Sequence, residues 1–96
     1  MARLFIRHQP VMCTVQQGKT SNHVFLVRRD VLTAHGIRLD SYLLDCAYVC
    51  VAHDGQIWAA RNLWARPDSL IVRLQCVLME DQPCVQQMLL ADMILN

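Results

Sequence analysis

Cys46, Cys50 and His53 stand at i, i+4 and i+7, a spacing that on an α-helix would align two thiols and an imidazole on one face, as a metal site requires. On a β-strand the same residues part company, Cys46 and Cys50 to one side and His53 to the other. Asp54-Gly55 decides between them. It lies between the apolar runs YVCVAH and QIWAA, and Asp-Gly in that setting is a strong hairpin signal, because both central turn positions take positive φ. Residues 46–53 are therefore predicted as a strand, with Cys46, Tyr48, Cys50 and Ala52 on one face, where free cysteines among small neighbours act as packing.

Other chemistry finds less support. The five cysteines, at 13, 46, 50, 76 and 84, are odd in number and irregularly spaced. They form no C-x-x-C pair for zinc, and without a secretion signal they read as reduced thiols. Any Cys–His pairing can be found among five cysteines and four histidines, so its presence argues for nothing. There is no G-x-S-x-G elbow. Gly18-Lys19-Thr20 matches the end of a phosphate-binding loop, but Cys13 occupies the place of the first glycine, so a hairpin turn is the better reading. No catalytic residue, metal or cofactor is expected.

Two recognition surfaces remain. Trp58, Arg61, Trp64 and Arg66 interleave indoles with guanidinium groups on or beside one β-segment, an arrangement that can stack unpaired bases of a single-stranded nucleic acid. In an unbroken strand Trp58 and Trp64 would share a face with Asn62 and Arg66, and Arg61 would face away. Arg28-Arg29-Asp30 is a second candidate anion contact, or a solvated strand end ahead of a helix. The net charge of +1, with no block of like charges, gives nucleic-acid binding little electrostatic help.

The elements that must position these residues read mostly as β. Strands are predicted over 3–8, 11–17, 23–29, 46–53 and 69–79, with a break at Gln9-Pro10 and a turn over 18–22. Asp30 is predicted to cap a short helix over VLTAH that stops at Gly36; residues 37–45 give no clear signal. In 69–79, Leu70, Val72, Leu74, Cys76 and Leu78 make one apolar face, while Ser69, Ile71, Arg73, Gln75, Val77 and Met79 make a mixed one. Asp81 and Pro83 favour a C-terminal helix that would be apolar on most sides, unless that segment is an added strand. The expected fold is a single compact α+β domain over 1–96: an antiparallel sheet of five or six short strands, a short helix after Asp30 and a C-terminal helix.

Composition then points to a partner. Of 96 residues, 54% are apolar and mean hydropathy is +0.23, more greasy side chain than one small core hides. Arginine outnumbers lysine eight to one and aspartate outnumbers glutamate seven to one, a bias that also marks contact surfaces. No run approaches the roughly 18 apolar residues of a membrane span. The expectation is a cytoplasmic, non-catalytic protein-interaction subunit. It would form a homo-oligomer, or pair with another protein, through Ile71, Arg73, Val77, Met79, Met88, Leu90 and Ile94, with nucleic-acid binding as the alternative.

Overall fold

In a computed structural model of the chain the described residues are 2–19, 21, 23–39 and 48–79. They build a seven-stranded, wholly antiparallel sheet curved into a half-barrel. In chain order the elements are β1 (Arg3–Ile6), β2 (Gln9–Val11), β3 (Gln16–Gln17), β4 (Val24–Arg28), α1 (Arg29–Ala34), β5 (Val49–His53), β6 (Gln56–Trp64) and β7 (Ile71–Leu78). Across the sheet the order is β2-β1-β5-β6-β7-β4-β3.

That order forces the curvature. β2 and β3 occupy opposite edges of the sheet, which if flat would lie about 29 Å apart at the usual strand spacing. Only residues 12–15 join them, and the five steps from Val11 to Gln16 reach at most about 18 Å. The edges must therefore curl toward each other. The interior records the same bend, since the ring of Phe25 on β4 lies 5.7 Å from that of His53 on β5, although β6 and β7 intervene in the sheet. Cys13 and Val15 of the connecting segment pack against the enclosed core.

The α+β expectation is thus corrected. Among the described residues the chain forms seven strands and one helix of six residues, with no helix of seven or more. The strand count exceeds the expected five or six because Val11–Gln17 is not one strand. Its ends are split between β2 and β3, and three- and two-residue strands are too short for alternation to declare them. The C-terminal helix falls on residues outside those described. Asp30 does not cap α1 either: Arg28 holds the N-cap position without a side-chain hydrogen bond, and the Asp30 carboxylate accepts two hydrogen bonds from Arg28, at 3.1 and 3.0 Å. So short a helix needs tertiary support. Leu32 supplies it from within the core. Arg29 adds more, donating from its backbone N–H to the Leu70 carbonyl and from its guanidinium to the carbonyls of Ser69 and Arg66. Gly36 then ends the helix at φ +75, as anticipated.

Two tight hairpins complete the sheet. Asp54 and Gly55 have φ 51 and 74 between paired His53 and Gln56, the predicted turn. The β1–β2 hairpin turns instead at Arg7-His8, φ 50 and 67, between paired Ile6 and Gln9. Two consecutive non-glycine residues at positive φ are unusual. Arg7 compensates through its side chain, which donates to the His35 carbonyl and to the Tyr48 hydroxyl and lies over the Tyr48 ring. Pro10 falls on an edge strand, where its missing donor costs no ladder bond.

Candidate functional site

The β7 alternation holds where it was cleanest. Val72, Leu74 and Cys76 are buried inside the half-barrel, while Ile71, Arg73 and Gln75 are exposed on its outer face. β6 lies beside β7 and carries the decisive irregularity. Its pairs run Trp58↔Leu78, Ala59↔Val77 and Ala60↔Cys76, then resume at Asn62↔Gln75, Leu63↔Leu74 and Trp64↔Arg73. Arg61 is the extra residue of a β-bulge, and one extra residue reverses every side chain after it.

The two tryptophans are therefore on opposite faces. Trp58 is 5% exposed within the interior, and Trp64 is 54% exposed outside, opposite Arg73, whose guanidinium carbon lies 5.7 Å from the centre of its ring. Arg61 is half-buried at the bulge and Arg66 is exposed in the loop after β6. The four residues expected to stack bases do not converge.

What does converge is a different set. Ile71 precedes Arg73 by two on the same strand face, diagonal to Trp64 across the β6–β7 pair, and is 42% exposed. Leu70, just ahead of the strand, is 68% exposed. Alternation had placed Leu70 inside, but it stands before the ladder begins, where the sheet no longer dictates its side. Trp64 and Ile71 thus flank Arg73 on the outer face. Arg66 and Asp68 stand exposed in the adjoining loop.

The remaining predicted contact residues fare differently. Val77 is half-buried, and Met79 is 1% exposed. Both pack with Phe5, Cys50, Ile57 and Ala59 in a second small cluster on the outer face. Met79 is thus core. Met88, Leu90 and Ile94 lie outside the described residues.

No known protein family, curated protein or solved structure matches the chain.

Cys50 and His53 point to opposite faces, as a strand requires, Cys50 into the outer cluster and His53 toward Phe25; Cys46 lies outside the described residues. Burial, with a smaller contribution from Cys50, raises the Cys76 thiol far above its ordinary pKa. Partial burial raises Cys13 as well. Neither is poised as a thiolate nucleophile. Arg28 is paired with Asp30, and Arg29 donates to two carbonyls, so this pair is engaged internally rather than offered to an anion. Among the described residues no group of three or more His, Cys, Asp or Glu is placed to hold a metal ion, and no helix is long and apolar enough to cross a membrane.

Proposed function

We propose that the chain is a non-catalytic protein-interaction subunit whose partner is a second copy of itself, met through the outer face of β6 and β7. The observation that carries this reading is that exposed Trp64 and Ile71 flank Arg73 on one face, with exposed Leu70 just ahead of the strand. Tryptophan and arginine beside aliphatic groups are the residue types that dominate binding energy at protein interfaces. Apolar area removed from water contributes roughly 25 cal/mol per Å², and a standard interface covers about 800 Å² on each partner.

Charge supports self-pairing. Arg66 and Arg73 border the patch together with Asp68, all exposed, so a two-fold arrangement can set each copy's arginines against the other's aspartate. The free thiols of Cys13 and Cys76 fit the reducing interior of a cell, where we place the protein.

Light scattering behind a sizing column tests the reading. A multiple of 11.0 kDa that Ile71→Asp reduces to one chain supports it; a monomer across the accessible concentration range overturns it. Single-strand binding through Trp64, Arg66 and Arg73 is the second reading, favoured by the exposed indole beside a guanidinium. It has one exposed ring rather than two to stack on, and it requires retardation of short oligonucleotides that weakens with salt.

A further inference from the structure

The outer face of the half-barrel is exposed at one end and buried at the other. Across β1, β5, β6 and β7 one transverse row reads Phe5, Cys50, Ala59 and Val77, each directly opposite the next. Beside it Ala52 faces Ile57, and Met79, just past β7, joins the same cluster. Phe5, Cys50, Ile57, Ala59 and Met79 are all at most 8% exposed. A lone antiparallel sheet leaves its second face to solvent unless another layer lies over it. These residues line the convex side, so a further part of the chain must cover them.

Among the described residues no element outside the sheet does so. Leu32 of α1, Cys13 and Val15 of the 12–15 connection, Ala65 after β6 and Leu39 all pack against the enclosed core instead. The partly buried neighbours of the outer cluster are Ala52 and Val77, both on the sheet itself. A second copy is not the cover either, since the burial is that of a single chain. Beyond the described residues two runs are long enough, 40–47 and 80–96. Leu39 and Tyr48, which flank the first, are both anchored to the enclosed core. The second starts directly after Met79, inside the outer cluster.

The shape of the surface suits one segment of chain. β1 and β7 are three strand spacings apart, about 14 Å. Phe5 rises at one margin and Val77 and Met79 at the other, with a low floor of Cys50, Ala52 and Ala59 between them. Crossing that width takes about four extended residues, and 80–96 supplies several times as many. The later part of that segment is rich in large aliphatic side chains, among them Val85, Met88, Leu89, Leu90, Ile94 and Leu95. Along the strands the trough ends at a polar pair, Asn62 opposite the exposed Gln75. Beyond that pair lies the Trp64 and Arg73 surface.

We propose that residues 80–96 fold back over the β1–β5–β6–β7 trough and form its second layer. Met88, Leu90 and Ile94 then serve the chain's own core, and the outer face is left open to a partner only beyond Asn62 and Gln75. The inference holds whether or not the chain pairs with itself.

The test is a set of methyl–methyl NOEs on the full chain, with mixed labelled and unlabelled copies to separate contacts within a chain from contacts between chains. The Ile57 and Ala59 methyls are expected to contact methyls of 80–96 within one chain. Replacing adjacent residues of the segment together, Leu89→Asp with Leu90→Asp, should abolish those NOEs and shift both methyl signals while the Trp64 indole N–H signal stays in place. The proposal is overturned if the Ile57 and Ala59 methyls contact sheet neighbours alone, if their partners are Leu43 and Leu44, or if the contacts run between copies. It is equally overturned if the double variant leaves both methyl signals where they were. The wild-type contacts decide the matter even if the variant fails to fold.

Discussion

Trp58 and Trp64 are the same residue on the same strand, six positions apart, and they do opposite things. Trp58 fills the interior between Phe25 and His23, whereas Trp64 stands in solvent beside Arg73. An even spacing on a regular strand would have put them together. The difference arises from Arg61, the extra residue of the bulge, and it shows that in a curved sheet the face of a side chain is settled by where the ladder slips. A bulge also increases local bending, so the feature that turns Trp64 outward belongs to the curvature that encloses Trp58.

The largest effect that can break this comparison is on stability. Trp58→Ala should destabilise the fold by about 3–5 kcal/mol, as the loss of a large core side chain does. Trp64→Ala should change it by no more than about 0.5 kcal/mol at a dilution where the chain is monomeric. Urea denaturation of both variants measures the pair. Equal losses would mean that Trp64 is packed rather than exposed.

Association should reverse the ranking. If the outer face is the contact surface, Trp64→Ala should weaken self-association by about 2 kcal/mol or more, the level of a central interface residue. Sedimentation equilibrium gives the constant directly. An unchanged constant would remove Trp64 from the interface and leave Ile71 and Leu70 to account for it.

The bulge itself can be tested by deletion. Without Arg61, Ala60 and Asn62 become neighbours and their existing partners, Cys76 and Gln75, are already consecutive on β7. The strand should then become regular with Leu63 still inside and Trp64 still outside, at a loss of about 1–2 kcal/mol from the missing bend. Iodide quenching of Trp64 should stay high. A Trp64 that becomes protected in the deletion variant would show that something other than the bulge sets its side.

How far the residues alone disclosed this arrangement follows from the same physics. Strands with several alternating residues and a glycine-bearing turn were legible: Asp54-Gly55 fixed the β5–β6 hairpin, and β7 displayed its buried face in Val72, Leu74 and Cys76. The Arg7-His8 turn was not, because Arg7 has no preference for positive φ and its compensation comes from His35 and Tyr48, remote in sequence. The outer patch was legible in part. Ile71 and Arg73 follow from alternation, but an unbroken strand puts Trp64 with Trp58, because a bulge has no local signature. Leu70 was placed inside because the start of a strand is poorly defined by pattern. No pattern in the residues foretells that His53 Nδ1 and Trp58 Nε1 are buried without a hydrogen-bond partner, since being unpaired depends on every neighbour in space.

The smallest effect concerns the strand beside the patch, where β4 passes into α1 and Arg28 pairs with Ile71, and it contrasts an exposed ion pair with the exposed apolar patch. Hydrogen bonds from Arg28 hold the Asp30 carboxyl below its ordinary value, against a smaller opposing effect of desolvation, with the Arg28 charge adding to the depression. A carboxylate whose folded pKa is depressed adds stability above its unfolded pKa, and that stability disappears as pH falls through the folded value. Asp30→Asn should therefore be slightly less stable than the parent chain at neutral pH and indistinguishable from it in strong acid. Both partners are exposed, so solvent screening keeps the difference near the limit of detection. Urea midpoints for the two chains across the acid range give the measurement. A gap that widens as the pH falls would mean that the pair opposes folding, and that α1 is held by Leu32 and Arg29 in spite of it.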